Sequence, residues 1–278
     1  MLPRCLLSLL CALLPIAAGT LHAADSLPFQ FRDGMVWVKV AVSGQSRPLN
    51  FLLDSGAGRS VIDLATARRL GLKLGSAQPV LGVGGQAVAY PVKDFDARAS
   101  GVPIASSLLA LDLSNPSRAC HQRIEGLIGA YFFREHIVQV DYAAQLLRLL
   151  SRSEMNATRG ERLPLVKRND ALCTRISVEG HASECFRLDT GCNSALEWVA
   201  PTARSQATGV TTIGLQSAGI REGRTTVEIG GISVPGVKTG VHAKPLFPGE
   251  AGLIGNGLLS RFTVTFDAGK GTCIVSER

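Results

Sequence analysis

Phe51-Leu52-Leu53-Asp54-Ser55-Gly56-Ala57 decides the fold. An apolar strand runs into an acidic residue, and the Ser-Gly that follows is turn chemistry. Such a stretch delivers a carboxylate to a tight turn in apolar surroundings. By itself it would be an ordinary turn. Phe186-Arg187-Leu188-Asp189-Thr190-Gly191-Cys192 repeats the pattern 135 residues later. A second mark follows each copy: Gly126-Leu127-Ile128-Gly129 and then Gly252-Leu253-Ile254-Gly255. From there the halves align without a gap, and Asp141 falls opposite Asp267. An internal repeat of this kind predicts two copies of one β unit. Each copy has its own small core, and each contributes one Asp to a shared site across an approximate two-fold axis.

The flanking sequence carries the β reading outward. Val36, Val38, Val40 and Val42 have the period of a strand with one buried face. Ser43 to Ser46 is a turn, and Leu49 to Leu53 returns as the second arm of a hairpin. Ser60 to Ile62 reads as a short strand. Asp63 is placed to cap a helix over Leu64 to Leu70, closed by Gly71. Val80 to Gln86 puts two β-type arms around a Gly-rich tip and predicts a mobile hairpin. A helix over Ala130 to Glu135 and strands over Ile137 to Asp141 and Leu146 to Leu150 close the first unit. Ser151 to Gly160 is polar and reads as a linker. The second unit replays the order, with strands over Thr174 to Val178 and Glu184 to Leu188, a hairpin candidate over Gly214 to Gly223, and strands over Val227 to Val241.

The chain has 278 residues, with few charged side chains and 30 glycines, which suits an all-β protein with many turns. Its net charge of +7 is dispersed, without a basic run or interleaved aromatics, so a mildly basic surface is expected rather than nucleic-acid binding. Residues 1–24 read as a signal peptide: Arg4, an apolar run from Cys5 to Ala18, and a small-residue cleavage site at Leu21-His22-Ala23. No second run is long enough to span a membrane, so the mature protein is expected to be exported, periplasmic or secreted. Five cysteines remain after the signal: Cys120, Cys173, Cys185, Cys192 and Cys273. Export permits disulfides, an odd count leaves at least one unpaired within the chain, and the pairing stays open. Asn156-Ala157-Thr158 fits a glycosylation acceptor only in a eukaryotic secretory pathway.

The chemistry follows from the repeat. Two carboxylates in contact cannot both ionise cheaply, so Asp54 and Asp189 would share one proton and titrate as a unit. The ionised carboxylate can deprotonate a water while the protonated one polarises a carbonyl. Ser55 and Thr190 are placed to hydrogen-bond across the axis, and Gly56 and Gly191 let backbone N–H groups approach the carboxylates.

These residues resemble the aspartic peptidases of the pepsin and retropepsin type, which carry Asp-Thr/Ser-Gly in each half and a hydrophobic-hydrophobic-Gly segment after the flap. The likeness is greatest to exported bacterial members with two retropepsin-like halves in one chain. It implies two pseudo-symmetric β-barrel lobes over residues 25–152 and 153–278 with short helices, catalytic Asp54 and Asp189, and support from Ser55, Gly56, Thr190 and Gly191. It further implies a flap at Gly82, Val83, Gly84, Gly85 and Gln86, with Gln216 to Gly219 as its weaker counterpart. Cys192 and Arg187 depart from the pattern.

The expected activity is hydrolysis of peptide or protein substrates without metal or cofactor, by a monomer. The alternatives are a catalytically weak peptide-binding protein of the cell envelope and a dimer in which lobes pair between chains. Gly82-x-Gly84-x-x-Ala87 imitates a dinucleotide fingerprint, but no helical pattern follows it. Zinc and serine-hydrolase motifs do not occur. Cys192 beside an acid would be a poor thiolate, and core or disulfide use suits it better.

Overall fold

A computed structural model describes residues 26–82, 85–105, 107–200, 209–213 and 216–277. The signal-peptide segment and Val83 and Gly84 of the hairpin tip lie outside the described residues. In chain order the first half comprises β1 (Ser26–Arg32), β2 (Met35–Val42), β3 (Leu49–Leu53), β4 (Val61–Asp63), α1 (Leu64–Arg69), β5 (Gln78–Gly82), β6 (Gly85–Lys93), β7 (Ala97–Ala99), β8 (Val102–Pro103), β9 (Ser107–Leu111), α2 (Ser114–Ala119), β10 (Gly126–Ile128), α3 (Ala130–Glu135), β11 (Ile137–Asp141) and β12 (Leu146–Leu150). The second half follows with α4 (Arg152–Ala157), β13 (Glu161–Pro164), β14 (Val166–Arg168), β15 (Ala171–Val178), β16 (Glu184–Asp189), β17 (Leu196–Val199), β18 (Gly209–Ile213), β19 (Gln216–Ile229), β20 (Ile232–His242), β21 (Gly252–Gly255), α5 (Asn256–Leu259), β22 (Phe262–Asp267) and β23 (Thr272–Glu277). The molecule is mostly β with short helices and a β-barrel, as its sequence predicts. Among the described residues no helix is long and apolar enough to cross a membrane.

The same local motif builds each half. In the first, β10 runs parallel to β3 and antiparallel to β4, so Leu127 pairs with both Leu52 and Val61. In the second, β21 runs parallel to β16 and antiparallel to β17, so Leu253 pairs with both Arg187 and Glu197. Alternation then sorts the side chains onto two faces. Phe51, Leu53, Ile62 and Ile128 enter the main core, as do Phe186, Leu188, Leu196 and Ile254. Each such side chain, fully buried, contributes roughly 1.5–3 kcal/mol.

The opposite face differs between halves. In the first it is a second apolar cluster of Met35, Trp37, Leu52, Val61, Leu109 and neighbours, against which Val80 and Ala87 of the β5–β6 hairpin pack. This cluster explains why Trp37 is buried although the alternation of β2 would expose it. In the second half the matching face holds Arg187, Glu197 and His242 around a small cluster of Cys192, Phe247 and Leu253.

The halves join through one sheet. Its order β13-β23-β22-β11-β12-β1 leads into β2 and β3. Val140 of β11 lies opposite Val264 of β22, at the centre of the junction. The aligned acids serve alike: Asp141 accepts from the Ala144 N–H at 2.9 Å and Asp267 from the Lys270 N–H at 3.1 Å, each closing the turn after its strand.

One local expectation needs correction, and two points that the sequence leaves open are resolved. The stretch expected as a linker contains α4, held by a capping box in which Ser151 accepts from the Glu154 N–H and Glu154 from the Ser151 N–H at 2.7 Å. Helix α2 lies between Leu113 and Ile124, where the sequence suggests no element, and starts with a turn closed by Asp112 on the Ser114 N–H at 2.8 Å. All five cysteines outside the signal segment are free thiols.

Candidate active site

Strand β3 ends at Leu53, and the chain turns at once. The Asp54 N–H donates to the Ile128 carbonyl at 2.9 Å, and the Ala130 N–H takes the Ala57 carbonyl, so the Gly-Leu-Ile-Gly segment holds the loop from behind. In the second half Asp189 pairs with Gly255, and the Asn256 N–H takes the Cys192 carbonyl at 2.8 Å. The two loops meet face to face.

Four reciprocal hydrogen bonds tie them. The Ser55 N–H donates to Thr190 Oγ1 at 2.9 Å, and the Thr190 N–H to Ser55 Oγ at 3.1 Å. Ser55 Oγ donates to the Leu188 carbonyl at 2.7 Å, and Thr190 Oγ1 to the Leu53 carbonyl at 3.0 Å. Both hydroxyl residues are fully buried, so each hydroxyl both donates and accepts and no polar atom there is orphaned.

This knot fixes the acids. A Cβ on Gly56 would lie 2.4 Å from Asp189 Cγ, and a Cβ on Gly191 would lie 2.5 Å from Asp54 Cγ. Each carboxyl therefore sits over the glycine of the other loop, in the room that the missing side chain leaves. The two carboxyl groups are near enough for each to act on the other's ionisation. Asp54 Oδ1 accepts from the Ala57 N–H and Asp189 Oδ1 from the Gly191 N–H, each at 2.9 Å.

The electrostatics follow from burial and contact. Burial raises the Asp54 carboxyl above its ordinary range, against the opposing effects of the Ala57 N–H, the Asp189 contact and the Arg187 charge. Burial and then the adjacent Asp54 charge push Asp189 up to about 8, although Arg187 and the Gly191 N–H pull the other way. Burial thus disfavours the ionised form of both acids. The Cys192 thiol is pushed up by burial and by Asp189, so it is not a thiolate nucleophile.

The hairpin expected as a flap is formed by β5 and β6, with Gly82 opposite Gly85 and Gln86 opposite Leu81. Gln216 to Gly219 lie on β19, paired with Val210 to Ile213 of β18.

Two further residues complete the site, with roles that the sequence does not assign. Arg187 makes a bidentate pair with Glu250, Nε at 2.8 Å and Nη2 at 2.7 Å, and its guanidinium stacks 3.3 Å from the Phe247 ring centroid. Asn256, fully buried, donates to the Gly34 and Thr190 carbonyls at 2.8 and 2.7 Å and accepts from the Tyr142 hydroxyl at 2.8 Å. It stands where the first half has Ala130, and that break in the repeat was its only signal. Among the described residues no group of three His, Cys, Asp or Glu is arranged to hold a metal ion.

A family model described as aspartyl protease matches residues 38–132. The match includes Asp54, its Ser-Gly turn, the β5–β6 hairpin and the first Gly-Leu-Ile-Gly, and ends before Asp189. It supports aspartic-protease chemistry at the level of the family. No curated protein matches the chain.

Proposed function

We propose that the chain is an aspartic endopeptidase in which Asp54 and Asp189 act as one acid–base pair. One observation carries this reading: each carboxyl sits against the glycine of the opposite loop, which brings the two acids together in buried surroundings. A water between them loses a proton to the ionised carboxylate as it attacks the amide carbonyl. The protonated partner donates to that carbonyl oxygen. The resulting tetrahedral diol collapses when the amide nitrogen takes the proton that the first carboxylate received from water, the C–N bond breaks, and a diol hydroxyl gives a proton back to the partner carboxylate, so the pair ends with the one proton it began with. No covalent intermediate forms, and the pair's opposite protonation states supply acid and base at once.

On this reading residues 25–152 and 153–278 are the two lobes, and an extended peptide lies between them. The β5–β6 hairpin, through Gly82 to Gln86, closes over it. Residues 1–24 direct export to the periplasm or the medium. The protein works as a monomer, because both acids come from one chain.

The test is cleavage of an unfolded protein across pH by wild type, Asp54→Asn and Asp189→Asn. Each substitution is expected to lower turnover by roughly a thousandfold or more, since acid and base vanish together. Full activity in either variant would sink the shared-pair reading. Activity is expected to persist in chelator, and its loss would point to a metal hydrolase instead.

A further inference from the structure

Arg187 occupies the place that Leu52 fills in the first half: each stands two residues before its Asp, and each pairs with the Leu of Gly-Leu-Ile-Gly. Its side chain is 5% exposed, and a cation so deeply buried must be matched on every side. Glu250 takes Nε and Nη2, and the Phe247 ring covers one face of the guanidinium. The remaining nitrogen, Nη1, points across to the first half and donates to the Gly56 carbonyl at 2.8 Å.

That carbonyl belongs to the same planar peptide unit as the Ala57 N–H. The Ala57 N–H donates to Asp54 Oδ1 at 2.9 Å. A donor pulling on the carbonyl end fixes the plane of the peptide and polarises its N–H. At the equivalent register position of the first half stands Leu52, a side chain with nothing to donate. The pair is thus symmetric in its carbon skeleton and asymmetric in its electrostatics.

We propose that Arg187 is a positioning residue that decides which acid holds the shared proton: by clamping the Gly56–Ala57 peptide it keeps the negative charge on Asp54 and the proton on Asp189. This rests on reading the two acids as the reacting pair, but the proton's place can be measured without turnover. The Arg187 charge by itself lowers both carboxyls, so the asymmetry rests on the clamped peptide, and the other neighbouring groups are paired or neutral. Glu250 lies beyond the guanidinium and is also held by Asn169 Nδ2 at 2.8 Å. Cys173 and Cys185 flank Arg187 from β15 and β16, and burial keeps the Cys173 thiol protonated. Cys192, beside Asp189, is likewise a neutral thiol. On the far side of the loop, Arg134 donates to the Gly58 and Asp170 carbonyls, and the Asp170 carboxylate is held down by Lys167, Arg134 and Arg59.

The experiment is a carboxyl carbon-13 NMR titration of Asp-labelled protein, with signals assigned through Asp54→Asn and Asp189→Asn. In wild type the Asp54 signal is expected to be ionised at neutral pH while the Asp189 signal still titrates. In Arg187→Met the lower apparent pKa of the pair is expected to rise by about one unit or more and both signals to share the step, with Arg187→Lys restoring most of the wild-type behaviour. The reverse order in wild type overturns the proposal, and so does an unchanged titration in Arg187→Met. Should Arg187→Met fail to fold, the wild-type order and the Lys variant still decide. In activity, the acid limb of kcat/KM is expected to move to higher pH in Arg187→Met. A uniform loss at every pH, with an unmoved limb, would assign Arg187 a merely structural role. A wild type that titrates as expected yet never cleaves would defeat the peptidase reading and leave Arg187's role intact.

Discussion

At the scale of the residue, the site is an exchange of space and charge between two loops. The glycines make the exchange feasible, because a Cβ at either position would overlap the opposite carboxyl. Gly56→Ala is therefore expected to abolish cleavage while the far strands still fold, measured by turnover beside circular dichroism. The raised Asp189 carboxyl also has a consequence for stability. Asp189 titrates near 3.9 in an unfolded chain and at about 8 in the folded one. Between those values the folded state binds more protons than the unfolded. The stability held by the protonated form is thus complete below about pH 4 and is lost as pH rises to about 8. Asp189→Asn keeps the shape without the ionisation. It is expected to raise the melting temperature at pH 8 by roughly 3–10 °C and to give no gain at about pH 3, read by calorimetry across pH.

At the scale of the element, short pieces are held by named side chains rather than by length. Helix α1 has only Leu64 to Arg69, too short to stand by propensity. Buried Asp63 starts it by accepting from both the Thr66 N–H and its hydroxyl at 3.0 Å, and it also receives the Leu113 N–H at 3.4 Å. Asp63→Ala is expected to cost about 2 kcal/mol, seen as a lower urea midpoint, with Asp63→Asn recovering part of it. Several elements were legible because local chemistry agreed with period. Asp63 and Gly71 bracket α1, and the Val run of β2 marks a buried face. Helix α4 carries a local signal too, since Ser151-x-x-Glu154 is a capping box set in an otherwise polar stretch. Helix α2 carries no buried residue, so no apolar period could reveal it.

At the scale of the whole molecule, the halves share their sheet through β11 and β22, and Asn256 binds groups from both. One cooperative unfolding transition is therefore expected. The two tryptophans are natural probes, Trp37 in the first half and Trp198 in the second. Single-tryptophan variants made by Trp37→Phe and Trp198→Phe should report coincident urea transitions, and two separated transitions would show the halves folding independently. Asn256→Ala is expected to destabilise by roughly 2–3 kcal/mol, because it leaves the Tyr142 hydroxyl and two buried carbonyls without their partner.

Local sequence is enough to set the β character of the chain and to show its repeated motifs. Alternation, turn chemistry and the two repeated marks are local signals, written in neighbouring residues. It also marked Asp54 and Asp189 as candidates, because an apolar strand ending in Asp-Ser/Thr-Gly is rare enough to notice twice. What only the tertiary structure decided is the environment of those acids. Arg187 reads in sequence as an interruption of an apolar strand. Its meaning lies in Gly56, 131 residues away, and in Glu250, 63 residues on. Asn256 likewise acquires its role from Gly34, 222 residues earlier. Hydrogen bonds and charge interactions act over a few ångströms in space, and a single chain's order of residues does not record which distant groups folding brings within that reach.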